Sequence, residues 1–117
     1  MGVLPPATVL KPIVWNRETA LLLIAELQPE MWTRGFHVAL AGGVLNHGFS
    51  RKDLDLVFLP MGGDQAGTNA AALVEYLASR WGTATPIVDP TYDTQNTVYR
   101  YKLKFSERLP RIDAFIL

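Results

Sequence analysis

The stretch from Ala39 to Leu59, ALAGGVLNHGFSRKDLDLVFL, constrains this chain more than any other part of it. An apolar strand runs into Gly42-Gly43, a short polar segment follows, and a second apolar strand opens with Asp53 and Asp55. Successive side chains on a strand alternate faces, so both carboxylates project to one side while Leu54 and Phe58 project to the other. Two carboxylates held close together repel unless a positive charge lies between them. A divalent metal ion with hard oxygen ligands is the usual answer.

The chain has 117 residues, which implies one domain, residues 1–117, with a single modest core. At 49% apolar and 19% charged residues it has a globular composition, which argues against disorder. Eleven basic residues balance 11 acidic ones, so nothing in the charge points to a nucleic-acid partner. Without cysteine there are no disulfides, thiolate ligands or thiol nucleophiles. No apolar run approaches the length needed to cross a bilayer, and the N-terminal residues fit neither a signal peptide nor a myristoylation motif. A soluble, cytoplasmic protein with no membrane partner is the default expectation.

In chain order, residues 1–15 carry Pro5, Pro6 and Pro12 and read as extended chain. Asn16 is placed to cap a helix, with Glu18 in its first turn and Ala20, Leu23, Ile24 and Leu27 on one face. Pro29 ends that helix or begins a short extra turn. Phe36 to Ala41 reads as a buried strand, Val44 to Gly48 as one or two helical turns, and Asp53 to Leu59 as a second strand. A glycine-rich loop over 60–68 leads to a helix capped by Thr68 or Asn69, with Leu73, Val74, Leu77, Ala78 and Trp81 on its face and Gly82 as its stop. Thr85 to Val88 reads as a short strand and 89–96 as a turn. Thr97 to Phe105 alternates, with Tyr99, Tyr101, Leu103 and Phe105 on one face and Val98, Arg100, Lys102 and Lys104 on the other. Arg111 to Leu117 is a final strand containing Asp113. The order implies an α+β (α/β-like) domain with a mixed β-sheet and helices packed on it.

An aspartate inside an apolar strand loses hydration and needs a cation, a donor or a catalytic purpose. Asp53, Asp55 and Asp113, converging from neighbouring strands, would make an oxygen-rich Mg²⁺ site. Because Mg²⁺ favours a few carboxylates plus phosphate oxygens and water, a nucleotide is the implied substrate. Gly42 and Gly43 would let backbone N–H groups approach a phosphate, and Ser50, Arg51 and Lys52 would add donors for a triphosphate.

Gly42-Gly43, Asp53-x-Asp55 and a later Asp113 together resemble the DNA-polymerase-β-like nucleotidyltransferase superfamily, and the chain's size resembles its minimal members. The resemblance implies a nucleotidyltransferase-like fold. It also implies transfer of a nucleoside monophosphate from an NTP to an acceptor with two Mg²⁺ ions, held by Asp53, Asp55 and Asp113 as catalytic and metal-binding residues. Gly42, Gly43, Ser50, Arg51 and Lys52 would contact the nucleotide. The chain shows no helical domain to hold base or acceptor, so a helical protein partner or a homo-oligomer is implied. The alternative is a catalytically inactive member of the same fold that serves as a binding or regulatory module with a protein partner.

Structural roles compete at each position. Asp53 could cap the preceding turn, and Asp113 could pair with Arg111 or Arg108. Asp89 and Asp93 lie in a turn where Asp bonds its own backbone. His37 reads as structural, His47 as a surface residue or a contact for a phosphate or acceptor, the Arg100, Lys102, Lys104 stripe as a solvated face or a guide for phosphate or nucleic acid, and Gly62-Gly63 as a connection or a lid. Trp32 and Trp81 read as core or interface.

Overall fold

The computed structural model describes residues 14–62, 66–87, 99–108 and 110–117, with backbone alone for 66–69. The proposed turn at 89–96, Asp89 and Asp93, Gly63, and most of the first fifteen residues lie outside the described residues.

Ten elements follow in order: β1 (Trp15–Asn16), α1 (Arg17–Thr33), β2 (Phe36–Ala41), α2 (Gly42–His47), β3 (Phe49–Ser50), β4 (Leu54–Pro60), α3 (Ala66–Trp81), β5 (Thr85–Pro86), β6 (Tyr101–Phe105) and β7 (Ile112–Ile116). Five strands form one mixed sheet in the order β2-β4-β7-β6-β5, and β1 pairs with β3 in a separate two-stranded ribbon. Within the main sheet β4 and β7 run parallel and the other neighbours antiparallel. The α+β class with a mixed sheet is therefore what the chain adopts.

Local chemistry accounts for the helix ends. Asn16 Oδ1 accepts the Thr19 N–H at 2.8 Å, and Thr19 Oγ1 accepts the Asn16 N–H at 3.2 Å, a reciprocal cap on α1. Gly82 stops α3 in the left-handed region at φ 95°, with its N–H on the Ala78 carbonyl at 2.8 Å. Tyr99, placed by alternation with Leu103 and Phe105, instead lies before β6 against Phe115 on the other side of the sheet, and two expectations about the helices change. Helix α1 continues through Pro29 to Thr33. Ala25, whose carbonyl loses its partner N–H to the proline, lies with Pro29 on the exposed side, where water can take that hydrogen bond. Helix α3 starts at Ala66, so Thr68 and Asn69 lie inside it rather than capping it.

The two faces of the sheet differ in kind. Leu54, Leu56 and Phe58 on β4 pair in register with Ile112, Ala114 and Ile116 on β7, and all six are fully buried. Leu103 and Phe105 extend this layer onto β6. Ala20, Leu27 and Met31 of α1 and Leu73, Leu77 and Trp81 of α3 belong to the same core, where Trp81 meets Phe105 edge-to-face at 5.4 Å. Arg80 of α3 joins Glu26 of α1 at 2.7 Å, and the Arg34 guanidinium lies 4.3 Å from the centre of the Tyr76 ring. Alternation sends Asp55, Val57, Asp113, Phe115, Lys102 and Lys104 to the opposite face, where only Asp113 is buried and the others are partly exposed.

Candidate metal centre

Two registers assemble the site. Asp55 pairs with Ala41 of β2 on one side and with Asp113 of β7 on the other. In-register neighbours on parallel strands share a face, so the carboxylates of Asp55 and Asp113 stand side by side. Asp53 lies one residue before β4 rather than inside it. It is held by a turn in which Ser50 Oγ accepts the N–H groups of Lys52 and Asp53, each at 3.1 Å. One oxygen from each of Asp53, Asp55 and Asp113 lies within 4.8 Å of the others. All three acids expected from the sequence therefore meet in one place.

Their electrostatics show the strain of that meeting. Burial, reinforced by the charges of Asp53 and Asp113, pushes the Asp55 carboxyl up to about 6, against the opposing pull of the Gly43 N–H and Arg111. Burial also raises Asp113, as does the neighbouring Asp53 carboxyl, while Arg111 acts in the opposite direction. Arg111 Nε sits 3.2 Å from Asp113 Oδ1 and 3.7 Å from Asp53 Oδ2. Thus one guanidinium serves two of three carboxylates. The donor set is all carboxylate oxygen and carries more negative charge than Arg111 neutralises, which suits a hard divalent cation such as Mg²⁺.

Gly42 and Gly43 act on Asp55 directly. Gly42 has φ 62°, and a Cβ there would collide with the Asp55 carboxylate. Gly43 donates its N–H to the same carboxylate. A Cβ on Gly43 would meet only the Phe49 carbonyl oxygen, at an ordinary 3.7 Å. The turn is thus a seat for Asp55, built by one glycine's conformation and the next one's N–H.

The other expected nucleotide contacts lie just upstream of Asp53. Ser50 closes the turn described above. Arg51 places its guanidinium 4.7 Å from the centre of the Phe49 ring, and Lys52 is exposed. His47 is exposed in the last turn of α2, and His37 Nδ1 accepts the Trp32 indole N–H at 3.2 Å. The basic stripe of β6 shares the acids' face, because Lys104 pairs with Asp113 and Lys102 with Phe115.

Four contributors were not singled out from sequence. Arg111 entered only as a competing salt-bridge partner, yet it touches two of the acids. Trp15 donates its indole N–H to the Arg111 carbonyl at 3.2 Å, and the Leu54 N–H reaches the same oxygen at 3.0 Å. That doubly used carbonyl ties β1 to the start of β4. Val57 and Phe115, each two residues beyond an acid, line an adjoining cleft, and period-two alternation was the signal that could have found them.

Compared with known proteins, the chain matches no family model and no curated sequence.

Proposed function

We propose that this protein is a Mg²⁺-dependent nucleotidyltransferase that moves a nucleoside monophosphate from an NTP to a hydroxyl-bearing acceptor. The single observation that carries the reading is the convergence of Asp53, Asp55 and Asp113 within 4.8 Å beside the paired strands β4 and β7. Asp53, Asp55 and Asp113 would hold Mg²⁺, two ions in the full reading. When bound, the metal neutralises the triphosphate and lowers the pKa of the acceptor hydroxyl.

The chain's own residues do the rest. Gly43 and the Gly42 turn hold Asp55 in one orientation. Arg111 fixes Asp113 through Oδ1. Asp113 takes the acceptor's proton as the acceptor oxygen bonds to the α-phosphorus. The bond from that phosphorus to the bridging oxygen breaks, and the electron pair leaves with pyrophosphate. Arg51 and Lys52 border the site at the Asp53 end, and Lys104 borders it beside Asp113, where cations favour a polyphosphate. Such a reaction belongs in the cytoplasm, where nucleoside triphosphates are made and used. Among the described residues no helix is long and apolar enough to cross a membrane.

Two observations favour the second reading, a non-catalytic module of the same architecture. Arg111 already partners Asp53 and Asp113, and α1 exposes Leu21 and Leu22 to 50% and 65%, an apolar surface suited to a protein partner. Incubating the protein with Mg²⁺, each NTP and a panel of hydroxyl-bearing acceptors, followed by mass spectrometry, separates the two. Transfer shows as a nucleoside-monophosphate mass increment that Asp53→Asn abolishes. If Mg²⁺ with NTP gives no thermal stabilisation and Asp53→Asn changes nothing further, the enzymatic reading is wrong.

A further inference from the structure

Next to the acids the same sheet face changes character within one rung. Where Asp55 and Asp113 pair, the following pair is Val57 and Phe115. A cleft of about 160 Å³ opens there, lined by Ala41, Gly42, Asp55, Val57, Tyr99 and Phe115. Its width follows from the sequence. Ala41, a small residue, leaves room at the β2 edge, while the rings of Tyr99 and Phe115, 5.4 Å apart and tilted by 50°, build the opposite wall. A carboxylate, Asp55, closes one end. An apolar cavity of roughly 150 Å³ holds a single benzene-sized ring, so the volume here matches one six-membered ring and excludes a fused bicycle from full burial. Aromatic walls favour a flat ring, which packs offset or edge-on against them. The Asp55 carboxylate selects a hydrogen-bond donor on the ring's edge.

We propose that this cleft is a substrate subsite taking a single flat six-membered ring that carries an O–H or N–H donor on its edge. Two sources share this chemistry: a phenol-like ring on the acceptor, and a pyrimidine base on the nucleotide. Assigning the ring to a substrate rests on the nucleotidyl-transfer reading, whereas the cleft's affinity for the ring does not.

The test uses the full chain without metal, phenol and cytidine as probes, and NMR shifts of the Val57 methyl and Phe115 ring signals. Binding with a millimolar Kd is expected for at least one probe. Val57→Phe, which fills the cleft from an accessible face, should weaken it by about tenfold or more, equivalent to ~1.4 kcal/mol. Tyr99→Ser, which removes a wall outside the regular strands, should do the same and serves if the first variant fails to fold. The source is then read with Mg²⁺ and CTP. A base in the cleft means that the variants also weaken CTP binding; an acceptor ring means that they weaken phenol alone. The inference is overturned if neither probe moves these signals, or if binding is unchanged in the folded variants. Ring binding without any nucleotidyl transfer would sink the enzymatic reading alone. Transfer with unaltered substrate KM in the variants would sink the subsite alone.

Discussion

Replacing Asp55 with asparagine should make the metal-free protein more stable. Asparagine keeps the side chain's shape and can still accept the Gly43 N–H, but it removes the charge that burial and two neighbouring carboxylates oppose. The folded carboxyl lies at about 6, against an ordinary value of 3.8. At about 1.36 kcal/mol per pKa unit the difference is worth at most ~3 kcal/mol. The side chain is only half-buried, so solvent screening brings this to about 1–2 kcal/mol. The sign follows from linkage: a carboxyl raised in the folded state contributes stability that is full below pH ~4 and is lost as pH rises through about 6. Wild type and Asp55→Asn should therefore unfold alike at pH 4, while at pH 8 the variant should be more stable by about 1–2 kcal/mol. For a domain of this size that is a Tm increase of roughly 4–8 °C. Thermal and urea unfolding followed by circular dichroism at both pH values measures it. Mg²⁺ should narrow or reverse the order, since ligand at ten times Kd stabilises only the metal-binding form by about 1.4 kcal/mol. A variant no more stable than wild type at pH 8, or one equally shifted at both pH values, would refute the claim that Asp55 is an uncompensated charge.

The neighbouring residues give further tests. Gly42→Ala meets both an unfavourable φ of 62° and the Asp55 carboxylate, so it should cost about 2 kcal/mol or more in urea unfolding and abolish Mg²⁺-dependent stabilisation. Arg111→Ala strips Asp113 and Asp53 of their shared cation. It should raise the Asp113 pKa further, seen by carboxyl NMR titration, and destabilise by about 1–2 kcal/mol, an effect that grows with pH as the acids ionise. Asn16→Ala removes the reciprocal cap of α1 and should cost about 1 kcal/mol without altering metal binding, which separates fold support from the site.

The sequence by itself determined which face Asp55 takes, because strand alternation sets it against Leu54 and Leu56 whatever the neighbours are, whereas Asp53, just before β4, is placed by the Ser50 turn. It also determined the α1 cap at Asn16, the α3 stop at Gly82 and the α+β class, all of which follow from local propensity and periodicity. Pro29 does not end α1 because a proline's cost depends on whether the freed carbonyl reaches water, and that is set by which side of α1 faces out.

Only the tertiary structure decided that β7 lies parallel beside β4 with Asp113 opposite Asp55. A lone aspartate in a distant strand carries no record of its neighbour. A slip of one residue would have turned it into the core, and the register is fixed by the joint burial of Leu54, Leu56 and Phe58 with Ile112, Ala114 and Ile116. The same pairing puts Arg111 between two acids and Phe115 beside Val57. The Gly42-Gly43 turn was legible as a place of close approach, but not what approaches it. That it is a carboxylate of the same chain, seated by one glycine's φ and the next one's N–H, follows from the β2–β4 pairing that lays Ala41 against Asp55.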